Sequence, residues 1–257
     1  MSNTQVTLIQ LDNYGPWTVT PEPTPEMDLQ VLQATLYADL ARLVGVRDGY
    51  AFHGRFDNMV AITNGLDLED HARIQSSLNH RYPVTVSMAV AAEKRPASAL
   101  STATERLQAA GSAQDRDRRS VLVGETIDDP GPGDLQIAHF DVVDSTTEYT
   151  DRLNAFDAHV TIQSGVVKLQ QYLGEAHDSL SFFVGGDNVI AACPDVTRTD
   201  FETAIARVAD ETGLELQVGV GSGATAADAG MAAKYALEAC RYQGTRIQGV
   251  VPSAVSD

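Results

Sequence analysis

Cysteine and lysine are scarce in this chain of 257 residues, and long apolar runs are missing. The two cysteines, Cys193 and Cys240, show no CxxC or Cys/His spacing, which excludes a disulfide framework and a thiolate zinc site. None of the six histidines (His53, His71, His80, His139, His159, His177) forms an HxxxH pair. No run reaches the roughly 18 apolar residues of a membrane span, and the N-terminus lacks the basic and apolar regions of a signal peptide. The sequence therefore predicts a soluble cytoplasmic protein without a membrane partner.

Basic charge is equally thin. Thirty-five acids face 18 bases, a formal charge of −17, and Lys94, Lys168 and Lys234 are the only lysines. Such a surface repels nucleic acid and anionic membrane. It suits a very salty cytoplasm, where screening weakens self-repulsion. An anionic substrate would need metal ions to approach it.

What is present begins with VTLIQLDNYGPWTVTP, Val6 to Pro21. A strand of Val6, Leu8, Ile9 and Leu11 ends on a carboxylate, Asp12, and the turn Asn13 to Pro16 follows before any helix. Gly15 permits close approach to a ligand, so one carboxylate and a row of N–H donors could hold a metal and an anion; a strand cap followed by a loop reads equally well.

The chain then repeats. LIQLD ends at Asp12 and QIAHFD at Asp141, about 129 residues later; FHGRFDNMVAIT surrounds Asp57 and LSFFVGGDNVIAA surrounds Asp187, about 130 later. Each Asp-Asn pair (Asp57 with Asn58, Asp187 with Asn188) reads as a β-hairpin tip. Leu29, Leu32, Leu36, Leu40 and Leu43 predict an amphipathic helix in the first half, capped by Thr24 with Pro25 first; Ile162, Val166, Leu169 and Leu173 predict its copy. The expected fold is α+β: two tandem ferredoxin-like or palm-type βαββαβ halves, with antiparallel sheets and helices on one face. The halves span residues 1–131 and 132–257, with the boundary near Pro132 and an unstructured tail from Gly249.

In that layout Asp12 would face Asp57 across adjacent strands, and Asp141 would face Asp187. Ionised carboxylates this close repel unless a divalent cation lies between them, and magnesium, which combines one or two carboxylates with substrate phosphates, is the natural one. Turn chemistry alone accounts for a hairpin aspartate, but not for an acid ending the first strand in both halves.

FDVVDST (Phe140 to Thr146) and FVGGDN (Phe183 to Asn188) resemble the palm-type domains of class III nucleotidyl and diguanylate cyclases. That likeness implies metal-binding aspartates here, with Arg241 either a triphosphate clamp or an ordinary exposed arginine. LIQLDNYGPWTVTP, RFDNMVAITNG, RIQSSLNHRYPVTVSM and GSAQD (Gly111 to Asp115) together resemble archaeal GTP cyclohydrolase III, from about Thr7 to about Gly244.

The second resemblance implies magnesium-dependent opening of the imidazole ring of GTP at C8, a formylaminopyrimidine nucleotide and two inorganic phosphates as products, and a place early in flavin and deazaflavin coenzyme biosynthesis. It also implies a monovalent cation activator such as K⁺ and a homo-oligomer, dimer or tetramer. By position it implies Asp12 and Asp57 as catalytic metal ligands, Asp141 and Asp187 as the second metal pair, and Asn13, Tyr14, Gly15, Arg55, Asn58, Asn188 and Arg241 as nucleotide contacts. Trp17 and Phe56 are either walls for the purine or core aromatics. A nucleotidyl cyclase and a catalytically silent nucleotide sensor are the rival readings.

Overall fold

The computed structural model describes residues 3–55, 57–127, 129–131, 133 and 135–249; Phe56, Pro132 and the tail beyond Gly249 lie outside them. Two compact units emerge, built mainly from residues 3–130 and from residue 131 onward.

The first unit runs β1 (Thr4–Leu11), α1 (Tyr14–Thr18), α2 (Glu26–Gly45), β2 (Tyr50–Arg55), β3 (Asn58–Ile62), α3 (Leu68–Arg81), β4 (Val86–Glu93), α4 (Pro96–Ala109) and β5 (Leu122–Gly124). Its sheet has the order β2-β3-β1-β4-β5. The second unit runs β6 (Leu135–Val142), a π-helical turn (Thr146–Thr150), α5 (Ala155–His177), β7 (Leu180–Gly185), β8 (Asn188–Cys193), α6 (Arg198–Thr212), β9 (Leu216–Gly223), α7 (Ala226–Gln243) and β10 (Ile247–Gly249). Its order, read from the hairpin edge, is the same: β7-β8-β6-β9-β10. The four expected strands of each unit pair antiparallel. A short fifth strand, absent from the expectation, lies parallel to β4 or β9 at the far edge.

One face of each sheet carries the main core. Ile9, Leu11, Met59, Val86 and Met88 pack against Leu36 and Leu40 of α2 and Ile74 and Leu78 of α3. In the second unit Phe140, Val142, Val218 and Val220 meet Val166, Leu169 and Leu173 of α5 and Phe201 and Val208 of α6. Truncating a buried aromatic such as Phe201 to alanine would cost about 3–5 kcal/mol.

The expectation of helices on one face alone is corrected. Successive strand residues point to opposite faces, and where Val218 and Val220 enter the main core, Gly219 and Gly221 face α7. A Cβ at Gly219 would lie 2.1 Å from the Ala233 carbonyl oxygen, and one at Gly221 2.3 Å from that of Ala229. The alternation in LQVGVGSG is therefore the footprint of a helix seated directly on the sheet.

The stretch after β1 also differs from expectation. Asn13 adopts a left-handed conformation (φ 51°), which asparagine tolerates, and the one-turn helix α1 follows it. Pro16 fits because a first turn needs no donor there, and the Trp17 N–H closes the turn onto the Asn13 carbonyl at 3.0 Å. The following helix begins at Glu26, with Pro25 rather than Thr24 at its cap.

Candidate active site

Strand register decides which residues are counterparts. Ile9 pairs with Met59, and Phe140 with Val189, each partner lying one residue past the hairpin asparagine. Gln10, then, not Asp12, corresponds to Asp141. Asn13 and Asp144 confirm the alignment, both left-handed at φ 51° and both 131 residues apart like Gln10 and Asp141. The hairpin repeat was legible at its true spacing; the first-strand repeat was matched two residues out of register.

Asp12 lies one residue beyond β1, turned inward and buried. Its Oδ1 accepts from the Ser87 hydroxyl at 2.6 Å and Arg118 Nη2 at 2.9 Å; its Oδ2 accepts from the Thr85 hydroxyl at 2.8 Å and the Ser120 N–H at 2.9 Å. A carboxylate offers about four lone-pair sites, and all are taken. Asp57 pairs instead with exposed Arg55 at 2.9 Å. The main chains touch, Leu11 N–H donating to the Asp57 carbonyl at 3.0 Å, but the two carboxylates do not form a pair. Asp12 thus leaves the expected metal-ligand set: it is half of a buried ion pair with Arg118.

The other first-unit candidates scatter. The Asn13 N–H donates to the Ala113 carbonyl at 2.7 Å, locking DNYGPW onto the GSAQD loop instead of offering that amide to a phosphate. Tyr14 Oη accepts from Gln33 Nε2 at 2.8 Å; its ring stacks with Trp17 at 6.0 Å, and both rings pack on the core. Burial pushes the Tyr14 phenol up, so it stays protonated. Gly15 is exposed beside the Gln114 side chain. Asn58 faces Gln10 across the strands, Gln10 Nε2 donating to its Oδ1 at 2.8 Å.

The second unit builds a different site. Asp141 sits within β6, on the face opposite Phe140, and Asp187 at the β7–β8 turn, beside one cavity of about 740 Å³. Asp141 Oδ2 accepts from Gln217 Nε2 and from Arg241 Nη2, each at 2.9 Å. That bond to Asp141 holds the Arg241 guanidinium still more firmly charged. Asn188 Nδ2 donates to Asp187 Oδ1 at 2.9 Å, fixing the amide so that its Oδ1 accepts from His139 Nε2 at 2.9 Å. His139, which sequence spacing passed over, joins the site this way, and desolvation pushes its imidazole below the ordinary histidine value, against the opposing pull of Asn188 and Asp141. Residues Ser145, Thr146 and Thr147 complete the cavity wall, and Arg246 its rim.

These groups suit magnesium better than the first-unit set does. Two carboxylates share a cavity with room for an anion, and Asp141 Oδ1 has no protein partner among the described residues. Magnesium is commonly held by one or two carboxylates plus phosphate oxygens and water, so a larger cluster is not required. Among the described residues no group of three or more His, Cys, Asp or Glu forms a protein-only metal cage, and no helix is long and apolar enough to cross a membrane.

The sequence pattern of GTP cyclohydrolase III matches residues 6–254. GTP cyclohydrolase III of Halorubrum lacusprofundi is 56% identical over 257 residues, all of both chains. GTP cyclohydrolase III 1 of Halobacterium salinarum is 57% identical over 96% of this chain and 98% of its own. Among solved structures, the active GGEEF domain of a diguanylate cyclase from Vibrio cholerae overlaps 47% of this chain and 84% of its own at 13% identity and a TM-score of 0.38, too slight a likeness to carry an argument. With identity this high sustained from end to end, the chain belongs to the GTP cyclohydrolase III family.

Proposed function

We propose that this protein hydrolyses GTP with magnesium, opening the imidazole ring at C8 and releasing two inorganic phosphates. One water adds at C8 and is retained in the formyl group; one further water is consumed for each phosphate released. The product is 2-amino-5-formylamino-6-(5-phospho-ribosylamino)pyrimidin-4(3H)-one, an early intermediate for flavin and deazaflavin coenzymes. Potassium or another monovalent cation serves as activator, and the working form is a homo-oligomer.

The observation that carries this reading is the pairing of Asp141 and Asp187 on a cavity that also holds Arg241. Asp141 Oδ1 and Asp187 are the groups that would hold magnesium, which when bound neutralises the phosphates and makes water a stronger nucleophile. Asn188 holds Asp187 in its orientation. Arg241, half exposed, can turn from Asp141 to a phosphate oxygen, and the hydroxyls of Ser145, Thr146 and Thr147 line the same wall. Gln217 keeps Asp141 oriented when Arg241 leaves it.

Incubating the protein with GTP and magnesium and following purine absorbance, phosphate and product mass tests the reading. Loss of purine absorbance with two phosphates per GTP is expected. Pyrophosphate release with an intact purine would instead mark a cyclase, and unchanged GTP a sensor.

A further inference from the structure

The hairpin asparagine is held differently in the two units. In the first, Gln10 stands directly across from Asn58, and its Nε2 donates to Asn58 Oδ1 at 2.8 Å. The glutamine is fixed in turn, because its Oε1 accepts from Arg118 Nη1 at 2.8 Å. In the second unit the counterpart of Gln10 is Asp141, and an ionised carboxylate has no hydrogen to donate. The donor to Asn188 comes instead from His139, two residues earlier on the same face of β6. His139 pairs with Ile190, itself two residues past Asn188, so the two side chains meet on the diagonal between neighbouring strands, within reach of a long side chain. By the same register the first-unit counterpart of His139 is Leu8, which pairs with Val60 and offers no polar atom.

The direction of the His139 bond follows from Asp187. An ionised carboxylate only accepts, so Asn188 turns its Nδ2 to Asp187 Oδ1 at 2.9 Å and its own Oδ1 faces the other way. His139 Nε2, 2.9 Å from that oxygen, must then carry a hydrogen, and it can do so whether the imidazole is neutral or charged. Without this donor the Asn188 amide is free to turn its Nδ2 to Asp141, the next residue across in register after Phe140 and Val189. Asp187 would then lose the one side-chain hydrogen bond it has among the described residues.

We propose that His139 is a positioning residue of the second-unit site: by donating to Asn188 Oδ1 it aims Asn188 Nδ2 at Asp187 and so presents that carboxylate to the metal. This rests on the reading of Asp187 as a magnesium ligand, and adds to it a histidine that acts through Asn188 without touching the metal. Hydrogen-bond partners that orient a metal ligand from behind are worth about 10–100-fold in metal affinity.

Titration of the nucleotide-free, full-length protein with Mn²⁺, read as loss of the free-ion electron paramagnetic resonance signal, tests this without turnover. His139→Leu, which installs the first unit's residue, should bind Mn²⁺ about tenfold or more weakly while the melting temperature stays that of the parent. His139→Gln, whose amide keeps an N–H donor, should restore most of the affinity. Asn188→Ala should weaken binding as much as His139→Leu, and the double variant no more than Asn188→Ala alone, because one residue acts through the other. Parent-like affinity in His139→Leu, or equal losses in His139→Leu and His139→Gln, would overturn the proposal. Additive losses in the double variant would also overturn it, marking His139 as a metal ligand in its own right. Asp187→Asn separates the two levels of failure. Weakened Mn²⁺ binding there beside parent-like binding in His139→Leu refutes the positioning role alone. Parent-like binding in Asp187→Asn, or no Mn²⁺ binding by the parent at millimolar concentration, refutes the metal reading and the proposal with it.

Discussion

The two units place an arginine and an aspartate beside the same end of the first strand, yet the pairs differ in kind. In the first unit Arg118 and Asp12 are 2% and 1% exposed, and every acceptor site on the carboxylate is filled. In the second, Arg241 is 43% exposed, and one oxygen of Asp141 stays without a protein partner among the described residues. Burial makes the first pair a structural element, because either ion left alone would remain in low dielectric. Exposure makes the second exchangeable, because Arg241 can turn toward a phosphate or solvent. The two units thus repeat one cradle, and the two-residue displacement of the acid leaves them with ion pairs of different exposure.

The largest expected effects come from crossing the two pairs. Asp187→Asn or Asp141→Asn should reduce GTP turnover by about 10²–10³-fold or more while the melting temperature barely moves. Steady-state phosphate release and thermal melts read both quantities. Arg118→Met should do the converse in stability, costing about 3–5 kcal/mol in denaturant titration by stranding Asp12 in the interior. If Asp12→Asn instead left stability intact and abolished only turnover, the first unit would be the metal site and the comparison would reverse.

A second contrast lies where the closing helices meet the sheets. By strand register Ala89 and Ala91 of β4 stand where β9 has Gly219 and Gly221, since Gln10 pairs with Ser87 and Asp141 with Gln217. The first unit accommodates a methyl; the second places α7 backbone in its space. Gly219→Ala should therefore destabilise by about 1–3 kcal/mol, whereas Ala89→Gly in the first unit should cost about 1 kcal/mol through chain entropy. Denaturation midpoints of the two variants check the inequality, and a milder effect at Gly219 would show that α7 can shift.

Much of this was legible in the sequence, and the misses have physical reasons. Periodic leucines placed the helices, and paired Asp-Asn turns placed the hairpins, because helix faces and tight turns are local. The register of Asp12 against Asp141 was not local. Matching acid to acid hid the fact that β6 carries its acid inside the strand, while β1 has Gln10 there. Arg118 lies in DRDRRS, which reads as a charged surface loop; only the folded chain shows that this one arginine turns inward to Asp12. The fifth strands, Leu122–Gly124 and Ile247–Gly249, are too short for any periodicity to register. The GVGSG alternation does carry a readable signal, a helix pressed on one face of the strand.

The smallest expected effect concerns the third turn of the comparison, where one unit is polar and the other apolar. His71 on α3 and Phe201 on α6 occupy matching positions, four residues after the caps Asp67 and Thr197. Phe201 meets Phe140 at 6.0 Å; His71 Nε2 instead lies 2.8 Å from the Thr7 hydroxyl and its Nδ1 lies 2.6 Å from the Asp67 carbonyl. Burial holds the His71 imidazole below its ordinary value of 6.5, outweighing the Asp67 carbonyl and the charges of Asp70 and Asp67, which push it up. The folded protein therefore keeps His71 neutral at pH values where the unfolded chain takes a proton, so its contribution is intact above about 6.5 and is lost as pH falls from there through the folded value. Half-buried His53 and His139 act with the same sign. Replacing the polar pair by the second unit's solution, Thr7→Ala with His71→Phe, should flatten the acid limb of the stability curve measured between pH 7 and 5 while leaving turnover at neutral pH unchanged. An acid limb as steep as in the parent protein would assign the pH dependence to the other histidines.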